Sequence, residues 1–80
     1  MSTNYKKKEH KVEVVSNGVR YVAIELDGKV KISRGGESVG HAKWDDEKHQ
    51  LTGSTAILPD DVELSIERKI KDAIAADYYD

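Results

Sequence analysis

Two histidines and three carboxylates lie close together in the middle of the chain, and their types are those of metal ligands. They are His41, Asp45, Asp46, Glu47 and His49. Imidazole nitrogens and carboxylate oxygens bind zinc and other divalent ions, and a tight hairpin would bring the ends of this segment together. The segment has no HExxH spacing and no third fixed ligand. We therefore expect neither a metal site nor a cofactor.

Serine and histidine also occur in a combination that could support acyl transfer. Ser38 or Ser54 would have to lie beside His41, with an acid orienting the imidazole and an oxyanion hole nearby. The chain has no GxSxG motif that would place a serine on a sharp turn. The adjacent acids Asp60-Asp61 suit the start of a helix better than paired acid–base chemistry. We expect no enzymatic activity.

Basic residues form a cluster at the N-terminus and recur along the predicted strands. The cluster comprises Lys6, Lys7, Lys8, His10 and Lys11, and its lysines are the candidate nucleic-acid contacts. Further bases and aromatic residues that could share a sheet face are Arg20, Tyr21, Lys29, Lys31, Arg34, Lys43 and Trp44. Basic side chains interleaved with aromatic rings are typical of nucleic-acid-binding surfaces. Glu13 and Glu25 interrupt this pattern, so a nucleic-acid-binding accessory protein is the alternative function.

The composition predicts one small domain. Eighty residues with no cysteine and no phenylalanine can form only a small aliphatic core without disulfides, and a homodimer would add apolar burial. No apolar run approaches the roughly 20 residues that span a membrane, and no secretory signal pattern is present. We expect a cytoplasmic protein with a flexible basic arm at residues 1–11 and a single domain at residues 12–80.

Residues 12–32 carry two turn signals between three apolar runs, which predicts a three-stranded meander. Asn17-Gly18 and Asp27-Gly28 are dipeptides that readily adopt positive backbone dihedrals, and β-branched or aromatic residues flank them. The length of each loop decides which side chains face the core, because a shift of one residue reverses every side chain.

Two registers compete in this meander. With two-residue loops, one face carries Val12, Val14, Tyr21, Ala23, Val30 and Ile32. With three-residue loops, it carries Val12, Val14, Val22, Ile24, Leu26, Val30 and Ile32. We prefer the second register because its apolar surface is more continuous. It leaves an outer apolar patch of Val15, Val19, Tyr21 and Ala23.

The rest of the chain predicts two more strands and one helix. A turn at Gly35-Gly36 leads to a fourth strand near residues 39–44 and a fifth near residues 51–58, with a bulge at Gly53. Pro59 ends that strand, and Asp60 with Glu63 has the pattern of a helix N-cap. The helix should continue to about Ala76. Its apolar stripe comprises Val62, Ile66, Ile70, Ala73 and Ile74.

The sequence thus predicts an α+β fold: an antiparallel β-meander of about five strands with one C-terminal amphipathic helix packed on the sheet. By elimination, we expect a non-catalytic binding or regulatory protein that acts through protein–protein contact. An inhibitor or adaptor encoded by a phage or another mobile element is one setting for such a protein. The expected partner-binding residues are Val19, Arg20, Tyr21, Lys31, Leu64, Tyr78 and Tyr79.

Overall fold

The fold is α+β, as predicted, with a curled five-stranded antiparallel sheet and one C-terminal helix packed against it. This computed structural model describes residues 8–78, with the backbone alone at Tyr78. The elements are β1 (His10–Ser16), β2 (Val19–Leu26), β3 (Lys29–Arg34), β4 (Glu37–Asp45), β5 (Gln50–Thr52) and α1 (Asp60–Tyr78). The strands lie in chain order across the sheet. Because β1 begins at His10, His10 and Lys11 belong to the sheet and not to the predicted arm.

The first two hairpins have two-residue loops, so the register that we preferred is wrong. Ser16 pairs with Val19 and Leu26 pairs with Lys29. Asn17 has a φ of 51° and Gly18 a φ of 77°, and the dipeptide Asp27-Gly28 repeats this geometry. Positive φ at both central positions defines the type I′ turn, whose twist matches that of the flanking strands. Asn and Asp tolerate this conformation better than most residues, which makes the shorter loop accessible.

With the shorter loops, the side chains of β2 face the opposite way from the arrangement that the three-residue loops predict. Tyr21 and Ala23 point into the core, with Tyr21 6% exposed, whereas Val22 and Ile24 lie on the outer face and are half-buried. Of the outer apolar patch expected from the longer loops, Val15 is exposed, but Val19 packs against the core and the other two members are buried. The shorter loops also bury the carboxylate of Glu25.

β4 is longer than predicted and β5 is much shorter. Ile32 pairs with Gly40 but Ser33 pairs with Ser38, so Val39 is an extra residue in β4. A Cβ on Gly40 would lie 2.6 Å from the backbone nitrogen of Ala56. Glycine is therefore required where the segment after β5 crosses β4. Gly53 does not form the predicted bulge in a longer strand, because β5 ends at Thr52.

The helix packs its apolar stripe on the sheet, as the spacing predicted. Val62, Ile66 and Ile70 are fully buried, and each contributes about 1.5–3 kcal/mol by leaving water. The backbone N–H of Glu63 donates to the carbonyl of Pro59 at 3.0 Å, so Pro59 and not Asp60 is the N-cap residue. Between residues 8 and 78, no helix is long and apolar enough to cross a membrane.

Candidate interaction surface

The outer face of the sheet brings four basic side chains together on β3 and β4. Lys29 lies directly opposite Lys43, and Lys31 lies directly opposite His41. All four residues are exposed. We call Lys29, Lys31, His41 and Lys43 the basic face. Cβ atoms of directly opposed residues are about 4.5–5.5 Å apart, and like charges in such pairs destabilise a sheet.

An aliphatic row borders the basic face on β2. Ile24 lies opposite Lys31, and Leu26 lies opposite Lys29. Leu26 is 42% exposed, and Ile24 and Val22 are half-buried. On the far side of Ile24, β1 contributes Lys11 to the same row. The outer face therefore combines positive charge with accessible aliphatic surface.

Two acids near the outer face, Glu13 and Asp45, bind groups other than the lysines of the basic face. Glu13 forms an ion pair with Arg20, and this bond holds the pKa of the Glu13 carboxyl below its usual value. Asp45 accepts the backbone N–H groups of Lys48 and Glu47, and the bond from Lys48 is the main cause of a lowered pKa at Asp45. Across residues 8–78, no carboxylate lies within 4.0 Å of the ammonium groups of Lys29, Lys31 or Lys43.

A groove of about 720 Å³ runs over the basic face. Its lining residues are Lys29, Val30, Lys31, Ser38, Gly40, His41, Ala42 and Lys43. The side chains of Val30 and Ala42 are buried in the core, so these two residues line the groove with their backbone atoms. A second groove, of about 530 Å³, lies between β1 and the helix. It is lined by Lys11, Val12, Glu13, Lys69 and Asp72, which are mixed in charge.

The structure places the predicted partner-binding residues on several surfaces. Tyr21 and Val19 lie toward the core, so the expectation that Tyr21 shares an outer surface with Lys31 is wrong. Arg20 and Lys31 are exposed on the outer face, and Leu64 is 59% exposed on the helix. Tyr79 and the side chain of Tyr78 lie outside the described residues.

The predicted basic arm is only partly described. Lys6 and Lys7 lie outside the described residues. Lys8 forms an ion pair with Asp77, with Nζ 3.0 Å from Oδ1, and Lys11 lies within β1. Our predicted partner-binding residues omitted Lys29, His41 and Lys43. The alternating patterns Lys29-x-Lys31 and His41-x-Lys43 were the signal for them, because residues two apart on a strand share a face.

The residues considered for metal binding and acyl transfer are not assembled. In the part of the chain that the structure describes, no three His, Asp or Glu side chains are placed to hold a metal ion. His41 binds Thr55, whose hydroxyl accepts the backbone N–H of His41 at 3.0 Å. The hydroxyl of Ser54 donates to the carbonyl of Ala56 at 3.1 Å, within its own loop.

A second charged cluster joins the sheet to the end of the helix. Nδ1 of His10 lies 2.7 Å from Oε1 of Glu25, and Nε2 lies 2.5 Å from Oδ2 of Asp77. The other oxygen of Glu25 accepts the backbone N–H of Gly28 at 2.8 Å. Burial lowers the pKa of His10, but the hydrogen bonds to Asp77 and Glu25 raise it by more, so the net pKa is above the usual value.

No protein family matches this chain, and neither a curated protein nor a solved structure is similar to it.

Proposed function

We propose that this protein is a small non-catalytic binding protein that regulates a partner protein by covering part of its surface. The contact surface is the basic face together with the aliphatic row of β2. A partner with an acidic patch and exposed apolar side chains would complement both features. An inhibitor or adaptor of a larger protein acts in this way.

The observation that carries this proposal is the pairing of like charges on β3 and β4. Lys29 opposite Lys43 is unfavourable to the sheet by itself, because directly opposed like charges repel. In residues 8–78, the three lysines have no carboxylate within ion-pair distance that would offset this repulsion. An acidic partner would supply the missing negative charge, and stability lost for function in this way is common at binding sites.

The aliphatic row favours a protein over a nucleic acid as the partner. Ile24 and Leu26 flank the lysines, and apolar contact of this kind contributes to protein interfaces. Proteins that bind single-stranded nucleic acid usually present aromatic rings for base stacking. Tyr21 and Trp44 are both buried on the inner side of the sheet.

Nucleic-acid binding remains the second candidate function. Lys11, Lys29, Lys31 and Lys43 all lie on the outer face, and four ammonium groups could contact successive phosphates. This function requires affinity that falls steeply as salt is added, because phosphate contacts release counterions.

Affinity capture from a lysate of the source cell tests the proposal. The native chain is compared with Lys31→Glu/Lys43→Glu and with the control Lys69→Glu/Lys71→Glu, which makes the same charge change on the helix. We expect the native chain to capture a partner protein that is still bound after nuclease treatment. The helix control should capture the same protein, and the basic-face variant Lys31→Glu/Lys43→Glu should not. A protein that the basic-face variant retains would contradict the proposal. Captured material that is lost on nuclease treatment would favour nucleic-acid binding, the second candidate function.

The mass of the native chain in solution tests whether the protein forms a homodimer. Light scattering over a concentration series distinguishes one chain from two. A mass that rises to two chains in the native protein and falls in the basic-face variant would show that the outer face binds a second copy.

A further inference from the structure

We infer that the basic face binds an extended acidic segment of a partner protein, in which carboxylate residues alternate with apolar ones. This inference rests on the proposed function and specifies the partner's chemistry. It depends on the spacing of the four basic side chains, on the groove between them and on the aliphatic row beside them.

The spacing of the lysines matches the repeat of an extended chain. Lys29 and Lys31 are two residues apart on β3, and His41 and Lys43 are two residues apart on β4. Two residues along a strand span about 6.6–6.8 Å. An extended peptide that lies along β3 repeats its side chains on one side at the same interval, so successive acidic residues would reach successive basic pairs.

The groove gives each carboxylate two basic neighbours. One carboxylate would lie between Lys29 and Lys43, and the next between Lys31 and His41, because these residues oppose each other across β3 and β4. The hydroxyl of Ser38 lines the same groove and can donate a hydrogen bond. A run of adjacent acids would place every second carboxylate on the opposite side of the peptide, away from the lysines.

The aliphatic row provides a place for apolar side chains of the same segment. Ile24 and Leu26 lie on β2, directly opposite Lys31 and Lys29. Neighbouring side chains of an extended peptide point to opposite sides, so a peptide that points its acids toward β4 points its apolar residues toward this row on β2. The recognised segment therefore alternates Asp or Glu with Val, Ile or Leu.

Fluorescence anisotropy with two synthetic peptides of the same composition tests the inference on the full chain. One labelled peptide is Ser-Gly-Asp-Val-Glu-Val-Asp-Gly-Ser, and the other places its three acids together and its two valines together. An oligo(dT) strand is the nucleic-acid probe. We expect the alternating peptide to bind about tenfold more tightly than the contiguous one. Lys31→Gln and Lys43→Gln should each weaken binding about two- to fivefold, and the control Lys71→Gln should not.

A charge reversal separates recognition from a general effect on folding. The variant Lys31→Glu/Lys43→Glu should lose the acidic alternating peptide, because each new carboxylate repels the acids of the peptide and pairs with the basic residue opposite it. The helix variant Lys69→Glu/Lys71→Glu should retain the peptide. Circular dichroism and thermal unfolding establish that each variant is folded.

Three outcomes contradict the inference and differ in what else they overturn. Equal affinity for the two acidic peptides would reject alternating recognition and leave the proposed function intact. Tighter binding of oligo(dT) than of either peptide would favour the nucleic-acid function. Unchanged binding of the acidic alternating peptide by the folded variant Lys31→Glu/Lys43→Glu would show that the basic face is not the site.

Discussion

Nε2 of His10 lies 2.5 Å from Oδ2 of Asp77, which ties the start of β1 to the last turn of the helix. The other ring nitrogen faces Glu25. Ionised carboxylates can only accept hydrogen bonds, so a ring that donates to both must carry both protons and be positively charged. A carboxylate in the last turn of a helix is unfavourable toward the helix dipole, and the charges of His10 and Lys8 offset this cost at Asp77.

The His10 cluster should make stability depend on pH with a definite sign. The pKa of His10 is raised in the folded protein. Its full contribution to the free energy of unfolding is therefore present below about pH 6.5, the ordinary pKa of histidine, and is lost as the pH rises through the raised pKa. The pKa of Asp77 is lowered by its bonds from His10 and Lys8. Its contribution is therefore present above about pH 4 and is lost as the pH falls through the lowered pKa.

The measurement is urea unfolding of the native chain and His10→Gln from pH 4 to 9. The variant should lose about 1–3 kcal/mol near pH 5–6, because Glu25 then keeps fewer partners, and the difference should shrink at higher pH. His49→Gln, at the exposed turn before β5, is the control and should show no comparable trend. A difference between native chain and His10→Gln that stays constant with pH would show that His10 is not charged in this cluster.

Substitution of Gly40 should destabilise the fold through a direct clash. In Gly40→Ala, the new Cβ would lie 2.6 Å from the backbone nitrogen of Ala56, so the crossing segment would have to move away from β4. We expect a loss of about 1–3 kcal/mol in chemical unfolding, as for other overpacked sites. Gly53→Ala is the control, because its positive φ is strained by alanine although no atom lies within 4 Å of the new Cβ. Equal losses would indicate backbone strain alone.

The strand order and the helix were predictable from the sequence, and the hairpin register was not. Apolar runs and Asn-Gly or Asp-Gly turns identify the strands locally, and the spacing of Val62, Ile66 and Ile70 identifies the buried helix face. The three-residue loops are favoured by the more continuous apolar surface that they form, but the two-residue loops turn Glu25 into the core. A buried carboxylate is tolerated here because His10, 15 residues away in the sequence, and the N–H of Gly28 both donate to it.

The basic face was predictable only in part for the same reason. Lys31 was expected on the outer face and is exposed there. The residues that oppose Lys31 on the neighbouring strands depend on the pairing of those strands. His41 and Lys43 lie opposite Lys31 and Lys29 only because Val39 is an extra residue in β4. A pattern of side chains along one strand does not give the residues that oppose it.

The helix face can be tested by a pair of aliphatic substitutions. Ile66 is fully buried against the sheet, and Ile66→Ala should lower the free energy of unfolding by about 2–5 kcal/mol through lost burial and the cavity left behind. Leu64, two residues earlier on the exposed side, is the control, and Leu64→Ala should change stability by less than about 0.5 kcal/mol. Comparable losses in the two variants, measured by urea unfolding, would contradict the packing of this helix.

Loss of the indole N–H of Trp44 should lower the stability of the protein only slightly. The ring is buried, and its Nε1 has no hydrogen-bond partner within residues 8–78. Trp44→Phe removes this unpaired donor while retaining most of the apolar ring, so the loss should stay below about 2 kcal/mol. Trp44→Ala should cost about 3–5 kcal/mol. Thermal unfolding of both variants gives the comparison, and equal losses would mean that the indole nitrogen contributes more than packing.

Reversal of one charge on the basic face should stabilise the free protein while weakening binding. In Lys43→Glu, the new carboxylate lies opposite Lys29, and an opposite-charge pair replaces a repulsive one. We expect the free energy of unfolding to rise by about 0.2–1 kcal/mol at low salt and the gain to shrink at high salt. Lys71→Glu on the helix is the control and should bring no gain. Affinity for the alternating acidic peptide should fall in Lys43→Glu alone. A variant that is both less stable and unchanged in binding would show that the paired lysines neither repel each other nor form the contact surface.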